Sequence, residues 1–334
     1  MLRMLVVASG MALWAIVGAV QAADAPDLKA VEAKPLYQCS EAEVGAYIGH
    51  MQQAEPDLRK RIVRLARKNL GQPYDIYLLG EMPFETYDPQ PIYCLTKSDC
   101  VVFAEHTYAM ALTDSWPEFM KLLQRIRYRD GQIGVATRNH YTEADWVKSN
   151  QWLVTDITGE IAGDKAVPFE ERIDRKKFLK GRYDLDVNIP VEVHRDSYLP
   201  YTEIDLADGK LQDGDFVNVV RGVVKPGNSP TQPVKGSVFV GHVGFVAHGT
   251  DGTLHMIHST SPEVREEPIT EYIARSTAKA AELDADGKPR LVGFKFLRLT
   301  DDPLANLRKL DGPGAPKVSL PLDDASAFWR ERLP

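Results

Sequence analysis

One helix constrains this chain more than any other feature. From Val101 to Leu112, apolar residues fall on nearly every face of a 3.6-residue period. Such a helix is covered all round, so it must lie in the middle of a domain, with the rest of the chain wrapped about it. It is introduced by Ser98-Asp99-Cys100, in which Ser98 or Asp99 is a good N-cap. That places Cys100 at the tip of an inner helix.

The flanking segments supply the wrapping. Ser40-Glu41-Ala42-Glu43 has the capping-box pattern, and Val44, Tyr47, Ile48 and Met51 follow at helical spacing. A second helix is predicted from Pro56-Asp57, with Leu58, Ile62, Leu65 and Leu70 on one side and Arg and Lys on the other, ended by Gly71 and Pro73. Residues 72–97 are rich in Pro and Tyr and read as a loop, and Trp116 to Arg127 reads as another amphipathic helix. Strand patterns come late, at Gly214 to Arg221, Ser237 to His248, Leu254 to Ser259 and Leu291 to Leu299. Helices first and an antiparallel sheet after them describe an α+β fold. Between about 130 and 205 the pattern is weak and reads as an elaborated insertion. A single domain over 36–310 and a C-terminal tail over 311–334 are expected.

At the N-terminus, Arg3 precedes an apolar run from Leu5 to Val20, and Val20-Gln21-Ala22 offers a cleavage site. Residues 1–22 therefore have the layout of a secretory signal peptide. No later stretch approaches the roughly 20 apolar residues of a membrane span. The expectation is an exported, periplasmic protein with no membrane partner after cleavage. The formal charge of −7 lacks the basic footprint of a nucleic-acid binder. An oxidising compartment favours disulfides. With three cysteines, Cys39, Cys94 and Cys100, one is left over. A Cys39–Cys94 bridge is expected, leaving Cys100 free.

A free cysteine at a helix N-terminus has a chemical advantage. The unpaired N–H groups and partial positive charge there favour the thiolate, and the same N–H groups suit an oxyanion. The alternative for Cys100 is a small apolar residue at the start of a buried helix. A nucleophile needs a base and the base an orienter. Among eight histidines, His242 stands inside the apolar strand Val238-Phe239-Val240-Gly241-His242-Val243-Gly244-Phe245-Val246, where Gly241 and Gly244 permit close approach. His258 follows in Met256-Ile257-His258-Ser259. The two lie directly opposite if the turn centres on Thr250 through a three-residue loop 249–251, whereas a two-residue Asp251-Gly252 turn sends them to opposite faces.

These pieces together resemble the NlpC-type papain-like cell-wall hydrolases. The resemblance is carried by Ser98-Asp99-Cys100, the strand lead-in Leu211-Gln212-Asp213-Gly214-Asp215-Phe216-Val217, Gly241-His242-Val243-Gly244 and Met256-Ile257-His258-Ser259, in that order. Leu70-Gly71-Gln72-Pro73-Tyr74 is similar to the segment that brings a Tyr to that family's active site. The resemblance implies a papain-like fold, a triad of Cys100, His242 and His258, and Tyr74 near the oxyanion. The His242-to-His258 spacing is longer than is usual there, and His255 is the alternative third member. Ile126-Arg127-Tyr128-Arg129-Asp130-Gly131, Arg138-Asn139-His140-Tyr141 and Asp145-Trp146 look like a branch of N-acetylmuramoyl-L-alanine amidases. It implies acyl transfer without a cofactor or metal, on peptidoglycan or muropeptide fragments. Arg127 and Arg138 are candidates to clamp substrate carboxylates, with salt bridging as the alternative. Tyr141 and Trp146 are candidates for stacking on a sugar, and His140 for a polar contact. Three rivals remain: a γ-D-glutamyl-diamino acid endopeptidase with the same triad, a zinc site built from His242, His248, His255 and His258, and a non-catalytic wall-binding module. The sequence leaves the oligomeric state open.

Overall fold

The computed structural model describes residues 26–310. The expected signal peptide and the C-terminal tail fall outside the described residues. Local capping sets the helices around the inner one. The Ser40 side chain accepts from the Glu43 N–H while the Glu43 carboxylate accepts from the Ser40 N–H, which starts the helix Glu41–Ala54. Asp57 caps Leu58–Lys68 through the Arg59 and Lys60 N–H groups. That helix ends earlier than the pattern implied, so Leu70 lies in the following turn and is exposed. The inner helix runs Cys100–Leu112 and is buried from Val102 onward. Trp116–Arg127 packs beside it.

The strands are β1 (Val154–Asp156), β2 (Val167–Ile173), β3 (Glu192–Pro200), β4 (Phe216–Gly222), β5 (Phe239–His248), β6 (Leu254–Thr260), β7 (Glu263–Pro268) and β8 (Arg290–Leu299). They form one antiparallel sheet in the order β2-β3-β8-β4-β5-β6-β7, with β1 also pairing β8. The weakly patterned stretch 130–205 thus contributes three strands to the main sheet. It also shares in a second apolar cluster, where Ile161, Leu199 and Ile204 meet Val217, Val246 and Phe296. The helices cover the other face, where Phe103 and Tyr108 meet Phe216 and Phe245 edge-on or tilted. Each such ring, fully buried, contributes roughly 1.5–3 kcal/mol.

Two connections fix the helical layer to the sheet. Asp215, fully buried, accepts from Arg59 at 2.8 Å and lies 3.1 Å from Arg298 Nη2, tying the helix Leu58–Lys68 to β8. After that helix the chain runs along β7: the Gly71 N–H donates to the Val264 carbonyl and the Val264 N–H to the Gln72 carbonyl, both at 2.9 Å.

The expected Cys39–Cys94 bridge is not formed; all three cysteines are free. Cys39 is buried with its thiol 3.5 Å from the Pro35 carbonyl, and the Cys94 sulfur lies 3.7 Å from the Thr96 hydroxyl. Each sulfur is engaged within its own short segment, a placement that a count of cysteines does not encode. Among the described residues no helix is long and apolar enough to cross a membrane.

Candidate active site

The start of the inner helix is held by a carboxylate cap and by hydroxyl and amide hydrogen bonds. Asp99 caps it, accepting from the Val101 and Val102 N–H groups at 2.9 and 2.8 Å. Ser98 is buried, its hydroxyl 2.7 Å from Gln72 Oε1 and 2.9 Å from Ser259 Oγ, and Ser259 donates to the Ser98 carbonyl at 2.8 Å. Gln72 in turn donates to the Leu95 carbonyl at 2.7 Å. The loop before the helix, the helix tip and β6 are thus one knot. Tyr74 sits in it through its N–H to the Pro262 carbonyl at 2.9 Å and a bridge to Ser98. Burial raises the Tyr74 phenol, and the neighbouring Cys100 sulfur adds to that.

Cys100 is half-buried at this tip. Burial pushes its thiol up to about 12, Asp99 pushes the same way, and hydrogen bonding from the Val243, Val101 and Cys100 backbone pulls down. The helix N-terminus therefore acts as expected but loses to desolvation, and the residue rests as a thiol rather than a thiolate. The Val243 contact puts the sulfur one peptide unit from His242. Burial, with the charges of His258 and Arg221, holds the His242 imidazole well below its usual range, so it rests neutral.

His242 Nε2 lies 2.6 Å from His258 Nδ1, and the rings cross at 76° with centroids 4.9 Å apart. The register differs from the one expected. Phe245 pairs with Ile257 and His248 with Leu254, around a five-residue loop 249–253. His258 therefore comes level with Gly244, not His242. Both histidines still share a face, because the offset is two residues. Gly244 makes this possible: a Cβ there would stand 3.0 Å from His258 Cβ and 2.9 Å from the Ile257 carbonyl oxygen. His255 points to the opposite face, toward Glu266 at 3.3 Å and Thr253 at 3.0 Å, so it does not meet His242.

Beyond His258 stands Glu267, unanticipated from the sequence. Its Oε1 lies 2.7 Å from His258 Nε2, and both its oxygens accept from Arg275 on the helix Ile269–Thr277. Burial pushes the Glu267 carboxyl up, but Arg275 and His258 outweigh it and hold it at about 2. Tyr272 on the same helix lies parallel to His242, 7° between planes and 6.3 Å between centroids. The Ile269, Tyr272, Ile273 spacing was a usable signal for that helix; β7 gave almost none.

A cavity of about 250 Å³ opens beside the helix tip. Asp99, Val101 and Val243 form one wall, and Arg127, Arg138, His140 and Trp146 stand in the others. Four of the five expected substrate-binding residues thus converge here, but each is already engaged. Arg127 lies 3.4 Å from Glu105, whose carboxyl burial raises to about 7. Arg138 lies 3.2 Å from the fully buried Glu81 and 2.9 Å from Asp88. The Trp146 ring is buried, stacked on Phe216, and donates to Glu105 at 3.1 Å. His140 bonds the Val135 carbonyl at 2.7 Å and lies edge-on to Phe178, and burial lowers it to about 3. Tyr141 does not line this cavity; it packs on Phe178 and under Arg175.

The four clustered histidines diverge. His248 lies 2.7 Å from Asp213, His255 faces Glu266, and only His242 and His258 meet. Among the described residues no group of three or more His, Cys, Asp or Glu side chains is placed to hold a metal ion.

A family model described as N-acetylmuramoyl-L-alanine amidase-like (AmiA-like) matches residues 64–279. Among solved structures, a Legionella pneumophila protein is 19% identical, with a TM-score of 0.63 over 82% of this chain and 97% of that one. An N-acetylmuramoyl-L-alanine amidase from Bacteroides uniformis is 22% identical, with a TM-score of 0.53 over 73% of this chain and 99% of its own. At such identities the likeness concerns the α+β fold. No curated protein sequence matches the chain.

Proposed function

Because this chain belongs to the N-acetylmuramoyl-L-alanine amidase-like family, we propose that it hydrolyses the amide joining the lactyl group of N-acetylmuramic acid to L-alanine in peptidoglycan, by cysteine chemistry of the NlpC-type papain-like kind. The observation that supports this reading best is that the helix starting at Cys100 packs on β5, the strand whose His242 is bonded to His258, with Asp99, Val101 and Val243 lining one cavity.

In this mechanism His242 takes the Cys100 proton as the sulfur attacks the carbonyl carbon. The resting pair is neutral on both sides, so proton transfer accompanies attack rather than preceding it. The Cys100 N–H, the helix-tip donor that Asp99 does not take, receives the developing oxyanion, with Tyr74 nearby. The C–N bond breaks, His242 returns the proton to the departing L-alanine amine, and a thioester to Cys100 remains. Water, deprotonated by His242, releases the lactyl carboxylate and restores the thiol. The cavity between Asp99 and Arg138 would hold the group flanking the scissile bond. With the signal-like segment at 1–22, the setting is the periplasm.

The test is mass analysis of products from defined muropeptides. Intact stem peptides with a free L-alanine amine, together with glycans ending in a free lactyl carboxylate, are expected from the wild type and not from Cys100→Ala. Truncated stems would make the enzyme a γ-D-glutamyl endopeptidase instead. No products from either protein, with muropeptide binding retained, would make it a binding module.

A further inference from the structure

Two imidazoles in series, one buried and one part-buried, must agree on where their protons sit. His258 is fully buried, and both ring nitrogens are engaged: Nε2 with Glu267 at 2.7 Å and Nδ1 with His242 Nε2 at 2.6 Å. An ionised carboxylate can only accept, so the His258 proton lies on Nε2. A neutral imidazole carries one N–H, which leaves His258 Nδ1 bare. Only a proton on His242 Nε2 can then fill the 2.6 Å contact. The second nitrogen of His242, Nδ1, is left with its lone pair.

We propose that Glu267 is a positioning residue that sets the tautomer of His242 through His258, so that Nδ1 of His242 is the nitrogen that accepts the Cys100 proton. This deepens the cysteine-amidase reading and rests on it.

Three further features support the assignment. Arg275 accounts for both oxygens of Glu267, which keeps the carboxylate ionised and fixed in direction. Glu266 and Glu267 are adjacent on β7 yet serve opposite faces, Glu266 pairing with Arg67 and His255 on the far side. Only one carboxylate is therefore directed at the pair. The other charged groups that act on the two imidazoles, Arg221 from β4 and Arg265 from β7, are cations and cannot accept an imidazole proton. The chain thus has a single acceptor end, and that end decides the direction of every hydrogen bond in it.

The tautomer is measured on the resting protein, with no substrate present. Full-length protein labelled with 15N-histidine gives long-range 1H–15N correlations that separate Nδ1–H from Nε2–H rings, assigned with His242→Asn and His258→Asn. Both His242 and His258 are expected as Nε2–H at neutral pH. In Glu267→Gln the amide oxygen stays on Arg275 and the NH2 group donates to His258 Nε2. Both rings should then flip to Nδ1–H, and kcat should fall by about 10²–10⁴-fold with KM little changed. A wild-type His242 protonated on Nδ1 overturns the proposal whether or not the variant folds. So does a folded Glu267→Gln protein with unflipped rings and wild-type kcat. Full amidase activity in Cys100→Ala, by contrast, would remove the cysteine reading while leaving the tautomer measurement as it stands.

Discussion

Gly244→Ala is the most incisive perturbation of the site that adds no charge. Gly244 lies on β5 level with His258 on β6. The new Cβ would stand 2.9 Å from the Ile257 carbonyl oxygen, 2.9 Å from Met256 Cγ and 3.0 Å from His258 Cβ. Ordinary contacts need roughly 3.5 Å. Met256 can rotate away, but the carbonyl and His258 Cβ move only if β6 moves, by about 0.5 Å. Overpacking of this kind costs about 1–3 kcal/mol. Replacing glycine within a strand returns roughly 0.5–1 kcal/mol, so the net loss is up to about 2.5 kcal/mol. The same shift lengthens the 2.6 Å bond between His242 and His258. Because misplacing a catalytic group by an ångström costs up to about 10²-fold, kcat should fall tenfold or more. Urea denaturation gives the first quantity and steady-state release of stem peptides the second. The control is Gly181→Ala in the helix Arg175–Tyr183, where a Cβ meets nothing within 4 Å. It should stabilise by about 0.4–1 kcal/mol without touching kcat. A Gly244→Ala protein with wild-type midpoint and wild-type kcat would refute the reasoning.

Other expectations follow from the same geometry. With its thiol pushed up to about 12, Cys100 should alkylate with iodoacetamide at a rate that climbs about tenfold per pH unit beyond pH 9; a plateau below pH 8, read by peptide mass spectrometry, would mean a preformed thiolate–imidazolium pair. Ser98→Ala removes the hydroxyl between Gln72 and Ser259 and should destabilise by about 1–3 kcal/mol in chemical denaturation; no change would show that the knot is idle. Arg138→Met strands the buried Glu81 and should cost about 3–5 kcal/mol. If that variant instead unfolds like the wild type and loses only substrate affinity, Arg138 belongs to substrate after all.

The parts of the fold that were legible in the sequence are those fixed by local chemistry. The capping box of Ser40 and Glu43, the Asp99 cap and the all-round apolar helix after Cys100 each act within a few residues, and each was found where the sequence put it. Strands β4, β5 and β8 are rich in Val and Phe, and β6 carries Leu254, Met256 and Ile257, and they were visible for that reason. β7 was not, because Glu263-Val264-Arg265-Glu266-Glu267-Pro268 has one buried apolar side chain and spends its charges on partners distant in sequence. With it went Glu267. Cys100, His242 and His258 could be selected because their neighbours are distinctive, but their register could not. The loop 249–253 is closed by the Gly249 N–H to the Thr253 carbonyl, with Gly252 at φ 81°, which shifts the pairing by two residues from the expected turn. The carboxylates that engage Arg127 and Arg138 were invisible for the same reason as β7: Glu105, Glu81 and Asp88 are partners by folding and not by spacing.

The hydroxyls of Ser98 and Ser259 and the amide of Gln72 join the sulfur-bearing helix to the imidazole-bearing sheet, and none of the three gains or loses a proton in water near neutrality. Acidifying the surroundings therefore leaves that seam intact. Its part in keeping the sulfur level with the imidazoles is therefore constant across the acidity range, which leaves the ionic tie from Asp215 to Arg59 and Arg298 as the titratable half of the joint between helix layer and sheet.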